Sequence, residues 1–365
     1  MRKILVNATA NDARGALSLT KCFLKDLNEN EDQLLREDIF ITVLVSNKEL
    51  LSYATKQIEV IYDTKPKRNF YAKFAYEYQV LPALMKEKNY HAYLSLQNTG
   101  IKKGEWKQFV LIHTPLPFIQ ISMKDIEKKN FLKYKILLRS ILARQLNNMN
   151  EIIVQTEWMQ EAIRKMGYQK TITIHRPSSS NFSDFSNPLP QSIEAKIGEN
   201  KQQVKLFYPT NKEKYKNNER LLAAVKRYNQ RNKQHQVKLY LTIQGNDCKD
   251  ITYLDKVPFE SMYTLYKKMD ALIFPSFAET LGLPLLEAEQ CGIDRIVADR
   301  EYAKEICKED AYYFNPFSIE SIVQSLEHFV LEQKAEKEEN TAPVYSFAKK
   351  EASYFDYIKI IQKSW

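Results

Sequence analysis

Short apolar runs alternate with helical patterns along the chain, and this alternation limits its fold more than any other feature. Residues 3–6 form an apolar run, followed by a polar loop and a helical pattern. Further runs in the first half lie at residues 39–45, 59–62, 92–96, 109–112, 152–154 and 172–174, with a helical stretch at 72–86. Because strands that alternate with helices form parallel sheets, the pattern predicts an α/β, doubly wound domain.

The second half repeats this alternation after a break in periodicity. Residues 175–192 are rich in Ser, Pro and Asn, which is typical of a linker, and apolar runs then resume at 204–208, 238–243, 271–274 and 295–298. A chain of 365 residues also exceeds the size of one hydrophobic core. We therefore predict two Rossmann-like domains, residues 1–180 and 190–345, and a C-terminal helix in 346–365 that packs back on the first domain because its aromatic residues need burial.

Several protein classes are disfavoured by the residues that are missing or scattered. No run approaches the roughly 20 apolar residues of a membrane-spanning helix, and the first residues, MRKILVNATANDARG, lack the apolar region of a signal peptide. The four cysteines are spaced without the pairing typical of zinc sites or disulfide frameworks; they are Cys22, Cys248, Cys291 and Cys307. The sequence predicts a soluble cytoplasmic protein.

The segment that bears most directly on chemistry lies near the C-terminus. The apolar run at 272–274 breaks at Pro275, passes through a short loop, and restarts as a helix around Pro284. The amides of residues 282–286 are then expected to lack helical partners and to point out of the helix N-terminus, which favours an anion such as a diphosphate.

Two carboxylates frame this turn. Glu279 precedes it and Glu287 lies in the helix, with seven residues between them. Carboxylates accept hydrogen bonds from sugar hydroxyls, so the turn and its flanking acids suit a sugar nucleotide. The alternative is that the acids only stabilise the helix N-terminus.

The string PSFAETLGLPLLEAEQCG closely resembles the E-x7-E signature of family 4 of the retaining glycosyltransferases. The resemblance implies the GT-B fold, in which two Rossmann-like domains face each other across a cleft. It assigns the acceptor side to residues 1–180 and nucleotide-sugar binding to residues 190–345. It also implies that Glu279 orients the transferred sugar and that Glu287 binds the ribose. The donor diphosphate is expected at residues between the two acids: Thr280, Leu281, Gly282 and Leu283.

Three further strings resemble the same family. FVLIHTPLPF places His113 at the end of a buried strand, like the family's catalytic-loop histidine that contacts the donor sugar. NDARGAL resembles the glycine loop that approaches the diphosphate, which assigns donor binding to Gly15; Arg14 beside it is a candidate or only a surface charge. FYPTNKEKYKNNERLLAAV resembles the loop whose lysine binds the leaving diphosphate, which is Lys216 here.

The last string departs from the family pattern at the arginine expected before the lysine. Asn211 stands near that place, and Lys212 or Lys214 is the candidate replacement. The basic run KEKYK is otherwise a solvated helix start.

Two weaker resemblances add candidates at other predicted strand ends. IIVQTEWMQEAI contributes Gln155 and Thr156, and VADREYAKEI contributes Asp299 and Glu305. Structural roles are an equal alternative for Asp299 and Glu305.

The resemblance implies transfer of a sugar from a nucleotide-sugar donor, with retention of configuration by front-face attack, to a glycan or polyprenyl-diphosphate-linked acceptor in polysaccharide biosynthesis. Fixed amides and a lysine stabilise the leaving group. We expect no cofactor and no metal, since no Asp-x-Asp follows a strand and no His/Cys cluster is present.

A basic stretch suggests one more partner. Residues 102–144 contain ten Lys/Arg and three Asp/Glu. A helical pattern at 124–145 mixes these cations with apolar residues, which fits peripheral contact with an anionic membrane at its inner face. The alternative is an ordinary amphipathic helix packed on the first sheet.

Three other functions compete with catalysis of glycosyl transfer. A nucleic-acid-binding protein fits the pI of 9.0, but no recognised binding motif accompanies it, so we expect no nucleic-acid partner. A catalytically weak partner subunit of another glycosyltransferase fits the missing arginine. An epimerase of the same fold is disfavoured by the E-x7-E string.

Overall fold

The computed structural model describes residues 1–12, 14–176, 182–198, 203–339 and 353–365. The chain forms two compact units. Unit 1 consists of residues 1–118, 133–178 and 350–365, and unit 2 consists of residues 119–132 and 179–349.

Unit 1 is built on a parallel sheet of seven strands within the described residues, in the order β3-β2-β1-β4-β5-β6-β7. Every pair of neighbouring strands runs parallel. The strands are β1 Arg2–Asn7, β2 Ile39–Val45, β3 Ile58–Tyr62, β4 Ala92–Ser95, β5 Lys107–Leu111, β6 Glu151–Val154 and β7 Thr171–Ile174.

Unit 2 is built on a parallel sheet of six strands within its described part, in the order β10-β9-β8-β11-β12-β13. Its strands are β8 Val204–Tyr208, β9 Val237–Leu241, β10 Ile251–Tyr253, β11 Ala271–Phe274, β12 Asp294–Ala298 and β13 Tyr312–Phe314. The α/β, doubly wound fold class predicted from the sequence is confirmed for both units.

Parallel pairing requires crossover connections. Most of them contain helices, whereas loops alone connect β4 to β5 and β9 to β10. The α-helices are α1 Arg14–Glu29, α2 Glu31–Arg36, α3 Phe70–Ala75, α4 Leu81–Glu87, α5 Lys128–Asn130, α6 Arg139–Gln145, α7 Glu157–Arg164, α8 Gln191–Ile197, α9 Asn218–Arg231, α10 Met262–Tyr266, α11 Leu283–Cys291, α12 Glu301–Cys307, α13 Ile319–Glu339 and α14 Asp356–Gln362. Short 3-10 helices lie at Lys48–Tyr53, Lys65–Lys67, Leu146–Asn148, Phe182–Phe185, Lys214–Lys216 and Phe259–Ser261, and π-helical segments at Tyr76–Val80 and Phe131–Leu138.

The strands are apolar on both faces because helices cover both sides of each sheet. In β1, Ile4 and Val6 enter one hydrophobic cluster and Leu5 enters another, since successive side chains of a strand point to opposite faces. A third cluster lies around β5 and β6 and includes Leu142 of α6.

The C-terminal segment belongs to unit 1. The buried residues Phe355, Tyr357 and Ile361 join the same cluster as Ile4 and Val6. The ring centroids of Tyr357 and Phe23 lie 6.2 Å apart. Apolar contact with α1 therefore holds α14 in place, whereas the predicted stretch 346–352 lies outside the described residues.

Residues 119–132 cluster with unit 2, whereas the predicted first domain ran without interruption to residue 180. Polar contacts explain the difference. Asp125 pairs with Arg220 at 2.8 Å, and Glu127 accepts a hydrogen bond of 2.6 Å from the Lys214 amide. The predicted linker at 175–192 includes residues 177–181, which lie outside the described residues.

Smaller differences concern short or irregular elements. The strands β10 and β13 have three residues each, too few to show periodicity in the sequence. The predicted helical stretch at 72–86 is a composite of α3, a π-helical segment and α4. Leu142 of α6 is buried, as an amphipathic helix packed on the sheet requires, while Ile136 in the preceding π-helical segment is exposed. None of the helices in the described residues is long and apolar enough to cross a bilayer.

Candidate functional site

The candidate site of unit 2 lies where the strand order of its sheet reverses. The chain proceeds from β8 to β9 and β10 on one side and then crosses to β11 on the other. Ligands of open parallel sheets bind at such a switch point, beyond the carboxyl ends of the two central strands. The loops that follow β8 and β11 carry Lys216 and Glu279.

Lys216 and Glu279 form an ion pair. Lys216 Nζ donates to Glu279 Oε1 at 2.5 Å, and the two side chains are only 14% and 17% exposed. The same ammonium lies 5.8 Å from the centre of the Phe274 ring at the end of β11. The structure therefore brings two of the three predicted catalytic residues into contact in a largely desolvated setting.

Hydrogen bonds fix the backbone on both sides of this pair. Tyr208 donates its hydroxyl to the Lys216 carbonyl at 2.8 Å, and the Phe277 amide donates to the Tyr215 carbonyl at 2.8 Å. Tyr302 donates to the Ser276 carbonyl at 2.8 Å. Lys216 and Glu279 are thus held by a scaffold of buried tyrosines.

Asn217 joins the two loops. Its φ of 61° is left-handed, and it caps α9. Its side-chain amide donates to the carbonyls of Pro275 and Pro316 at 3.2 and 2.8 Å. Asparagine tolerates left-handed backbone and supplies these donors, a role that the sequence did not reveal.

Gly282 opens α11 with a left-handed backbone, φ 67° and ψ 59°. A Cβ there would lie 3.2 Å from Leu285 Cδ1 and 3.4 Å from Tyr302 Cδ2. The Leu285 amide donates to the Gly282 carbonyl at 2.8 Å, and Pro284 has no N–H. The prediction of unpaired amides throughout 282–286 is therefore wrong at these two positions.

The other predicted diphosphate residues differ in exposure. The Leu281 side chain is buried and the Leu283 side chain is exposed, while Thr280 is partly buried. Their predicted contribution to donor binding stays a prediction.

Glu287 lies on α11 against Tyr266, whose hydroxyl donates to Glu287 Oε2 at 2.7 Å. Burial raises the pKa of Glu287 to about 7, although the bond from Tyr266 opposes the shift. Burial together with this carboxylate holds the pKa of the Tyr266 hydroxyl well above its ordinary value. Glu287 therefore changes charge near neutral pH, and Tyr266 is a neighbour that the sequence did not identify.

The candidate replacements for the missing arginine lie on the surface. Lys212 and Lys214 are exposed. Asn211 shapes the turn, since its side chain accepts the Glu213 amide at 2.9 Å and its carbonyl accepts Asn218 Nδ2 at 2.6 Å. Their role toward a diphosphate stays a prediction.

Asp299 and Glu305 follow β12, as predicted. Asp299 pairs with Lys304 at 2.5 Å, and both side chains are about half exposed. Glu305 is partly buried on α12. The contact of Asp299 is that of a surface ion pair.

His113 lies in unit 1, two residues beyond β5. Asn98, with a left-handed φ of 70°, accepts the amides of His113 and Thr114 on its side-chain oxygen at 2.8 and 3.0 Å. Burial lowers the pKa of His113 to about 4, so the imidazole is neutral at physiological pH. A neutral imidazole can both donate and accept a hydrogen bond.

The other candidates of unit 1 lie at two strand ends. Gly15 is exposed in the first turn of α1, and a Cβ would meet nothing there within 4 Å. The Arg14 side chain lies outside the described part of the structure. Gln155 and Thr156 are buried after β6, and Thr156 precedes α7 as its N-cap residue. The roles predicted for these four residues stay predictions.

No group of three or more His, Cys, Asp or Glu side chains in the described ranges is arranged to hold a metal ion. The expected metal independence stays a prediction.

Comparison with known proteins places these residues in a family context. Residues 191–343, which include Lys216, Glu279 and Glu287, match the family model of glycosyl transferases group 1. An 82-residue stretch is 35% identical to the serotype-specific mannosyltransferase WbdA of Escherichia coli, covering 22% of this chain and 10% of that protein. A 66-residue stretch is 36% identical to the O-antigen chain mannosyltransferase RfbU of Salmonella typhimurium, covering 18% of this chain and 19% of that protein.

The chain thus spans about a tenth of the length of the first curated relatives it matches. Solved structures resemble it over nearly its full length. Anabaena HepE, solved in complex with UDP-glucose, has a TM-score of 0.62 at 14% identity and covers 100% of this chain and 99% of its own. WaaG, a glycosyltransferase involved in lipopolysaccharide biosynthesis, has a TM-score of 0.59 at 15% identity, covering 98% and 99%. The fold is that of the GT-B glycosyltransferases.

Proposed function

We propose that this chain is a retaining glycosyltransferase that moves a sugar from a nucleotide-sugar donor to a glycan or lipid-linked glycan during polysaccharide biosynthesis. The observation that carries the proposal is the Lys216–Glu279 ion pair at the switch point of unit 2, beside the left-handed Gly282 that opens α11.

The pair combines the two kinds of group that a sugar nucleotide needs. A lysine ammonium stabilises the negative charge that develops on the leaving diphosphate, and it does so most effectively where water is excluded. A carboxylate accepts hydrogen bonds from the hydroxyls of the transferred sugar. In the free protein each side chain satisfies the other, so Lys216 is oriented before the donor arrives.

Glu287 and Tyr266 are assigned to the ribose of the donor. A carboxylate accepts both hydroxyls of a diol, and the hydrogen bond from Tyr266 holds Glu287 in one orientation. His113 is assigned to a hydroxyl of the transferred sugar, as a neutral imidazole. No metal or cofactor is assigned, because Lys216 and the backbone amides before α11 supply the charge stabilisation.

The names of the relatives suggest the sugar and the pathway. Both are mannosyltransferases, and RfbU acts on an O-antigen chain. We therefore propose mannose as the first sugar to test and a bacterial surface polysaccharide as the product. We also assign the reaction to the cytoplasmic face of the membrane, where the basic stretch 102–144 would contact anionic lipid.

A donor screen tests this function. UDP-, GDP- and dTDP-sugars, including mannosyl donors, are offered to the wild type and to Glu279→Ala, and binding is followed by thermal shift and turnover by release of the nucleoside diphosphate. One donor should stabilise the wild type and be consumed, while Glu279→Ala loses both effects. Glu309→Ala, which removes an exposed acid from unit 2, is the matched control and should behave like the wild type.

Two results would contradict the proposal. If no donor binds the wild type, or if Glu279→Ala binds the donor unchanged, the assigned site is wrong. Binding without turnover, in the presence of acceptors, would instead favour a catalytically weak partner subunit, to which Asn211 in place of the arginine points.

A further inference from the structure

A cavity of unit 2 lies at the opposite end of its sheet from the Lys216–Glu279 pair. The pair follows the carboxyl ends of β8 and β11, whereas the cavity lies at the amino ends of β12 and β13. Its volume is about 440 Å³, which is within the range of ligand-binding sites. The polar side chains that line it include Asp294, Arg295, Asp310, Tyr312, His328 and Glu332.

Arg295 is a buried cation in the lining of this cavity, and its side chain is only 2% exposed. Its Nη2 donates to Asp310 Oδ2. Its Nη1 has no hydrogen-bond partner among the described residues, since the carboxylate oxygen of Glu289 lies 3.9 Å away. Buried polar groups are normally hydrogen-bonded, so this N–H points to an acceptor oxygen on a ligand.

Carboxylates outnumber cations in the rest of the lining. Asp310 is 67% exposed and Glu332 is 48% exposed. Asp294 accepts a hydrogen bond of 2.7 Å from Gln333 Nε2. The chain as a whole carries a formal net charge of +9, so this acidic surface differs in sign from the rest of the protein. Such a local field attracts a positively charged partner.

Glu332 is held in a fixed position on α13. Tyr312 donates its hydroxyl to Glu332 Oε2 at 2.5 Å, and His328 Nε2 lies 3.0 Å from Glu332 Oε1. The rings of Tyr312 and His328 pack edge to face, with centroids 5.5 Å apart. Each carboxylate oxygen can accept a second hydrogen bond. Glu332 is therefore oriented before a ligand arrives, as a recognition group requires.

The loop that carries Asp310 is also fixed. Lys308 ends α12 with φ of 51° and ψ of −120°, a conformation that favours glycine. Tyr313 donates its hydroxyl to the Lys308 carbonyl at 2.5 Å, and the Asp310 amide donates to the Cys307 carbonyl at 2.9 Å. These bonds hold the Asp310 carboxylate beside Arg295.

We infer that this cavity binds a basic side chain, arginine or lysine, of a protein partner. The cation lies against Glu332 and Asp310, and a main-chain carbonyl of the partner accepts from Arg295 Nη1. A polyamine has no acceptor for Arg295, and an anion is repelled by the carboxylates. A partner bound at the amino ends of the strands leaves the Lys216–Glu279 pair accessible to a donor, so the inference does not depend on the proposed function.

Capped amino acids test the inference without any donor. Arginine, lysine and glutamate, each with an α-N-acetyl group and a C-terminal methylamide, are titrated into the full chain while saturation-transfer NMR is recorded. Capped arginine or lysine should bind the wild type, and capped glutamate should not. Glu332→Gln and Asp310→Asn should each weaken binding about fivefold. Glu327→Gln, on the same helix but outside the cavity, should bind like the wild type.

Two small cations test the role of Arg295. Butylguanidinium carries the cation of arginine without the peptide carbonyls, and it should bind more weakly than capped arginine. Equal binding of butylguanidinium, or tighter binding of spermidine, would overturn the assignment to a peptide.

The inference is also wrong if neither capped arginine nor capped lysine binds, or if Glu332→Gln and Asp310→Asn leave the affinity unchanged. Both acids are well exposed, and glutamine keeps an acceptor for Tyr312, so both variants should fold. Thermal unfolding checks this.

Discussion

Asp125 and Arg220 form an ion pair of 2.8 Å inside unit 2, in which the Asp125 side chain is only 7% exposed. Arg220 also donates to Asn217 Oδ1 at 3.2 Å and lies 5.4 Å from the centre of the Phe277 ring. Asn217 is the residue after Lys216, and Phe277 lies two residues before Glu279. Segment 119–132 therefore braces both loops of the candidate site.

Replacement of Asp125 should destabilise unit 2. Asp125→Ala leaves Arg220 without its carboxylate, and we expect a loss of about 1–3 kcal/mol in the free energy of unfolding. This lies below the full value for a buried pair because the Arg220 side chain is 32% exposed. Denaturant unfolding of Asp125→Ala, Arg220→Ala and the double variant should give a coupling energy of about 1 kcal/mol. Glu219→Ala, a neighbouring exposed acid, should have little effect. Additive losses would show that the pair does not couple.

Replacement of Lys216 should abolish most turnover. Lys216→Met keeps the length of the side chain but removes the only charge paired with Glu279 in the described contacts, so the leaving diphosphate loses its cation. Loss of one such stabilising group typically lowers kcat by about 10²–10³-fold. The initial rate of nucleoside diphosphate release measures the effect. Lys226 is exposed on α9, and Lys226→Met is the control. Equal rates in both variants would exclude Lys216 from the reaction.

Donor affinity should depend on pH through Glu287. Its pKa is raised to about 7 by burial, so the free protein holds a proton there at pH 6 and has lost it at pH 8. Only the ionised carboxylate accepts hydrogen bonds on both oxygens, so affinity should rise with pH, by at most about tenfold per pH unit below the pKa. Calorimetric titrations from pH 6 to 8 measure this dependence.

Glu287→Gln should bind more weakly and should lose the pH dependence between 6 and 8, whereas Glu309→Gln should keep it. A wild-type Kd that is flat across this range would show that the ionisation of Glu287 is not linked to donor binding.

Two replacements of Tyr357 should change the free energy of unfolding in different directions. It is fully buried in the core of unit 1, and its hydroxyl has no hydrogen-bond partner among the described residues. Tyr357→Phe removes this unsatisfied group and should be neutral or stabilise by up to about 1 kcal/mol. Tyr357→Ala leaves a cavity and should cost about 3–5 kcal/mol. Thermal unfolding distinguishes the two, and a loss in Tyr357→Phe would mean that the hydroxyl has a partner.

The sequence predicted the sheets well because parallel strands are nearly continuous apolar runs. β2 and β11 lie at the predicted residues, and β9 differs by one or two residues at each end. The family resemblance singled out Lys216 and Glu279 separately. Their 2.5 Å contact depends on β8 and β11 being neighbours, and strand order is a property of the folded sheet that local periodicity does not contain.

Other parts of the site had no local signal. In the sequence, Asp125 is one acidic residue within a basic stretch, and its partner Arg220 belongs to a distant segment of the chain. The same holds outside the site: Glu77 lies in a segment with an ordinary helical pattern, yet its side chain is only 4% exposed and accepts hydrogen bonds from Gln97 and Thr99, which follow β4. Buried polar contacts between distant segments are set by topology, which explains why sequence reasoning missed them.

The position of α14 has a consequence for biosynthesis. Phe355, Tyr357 and Ile361 complete the core of unit 1, yet they are translated after all of unit 2. Domains usually fold as they emerge from the ribosome, N-terminal first. The apolar face beside α1 therefore cannot be covered by α14 until the segment 179–349 of unit 2 has been synthesised, so the core of unit 1 closes only after unit 2 has emerged.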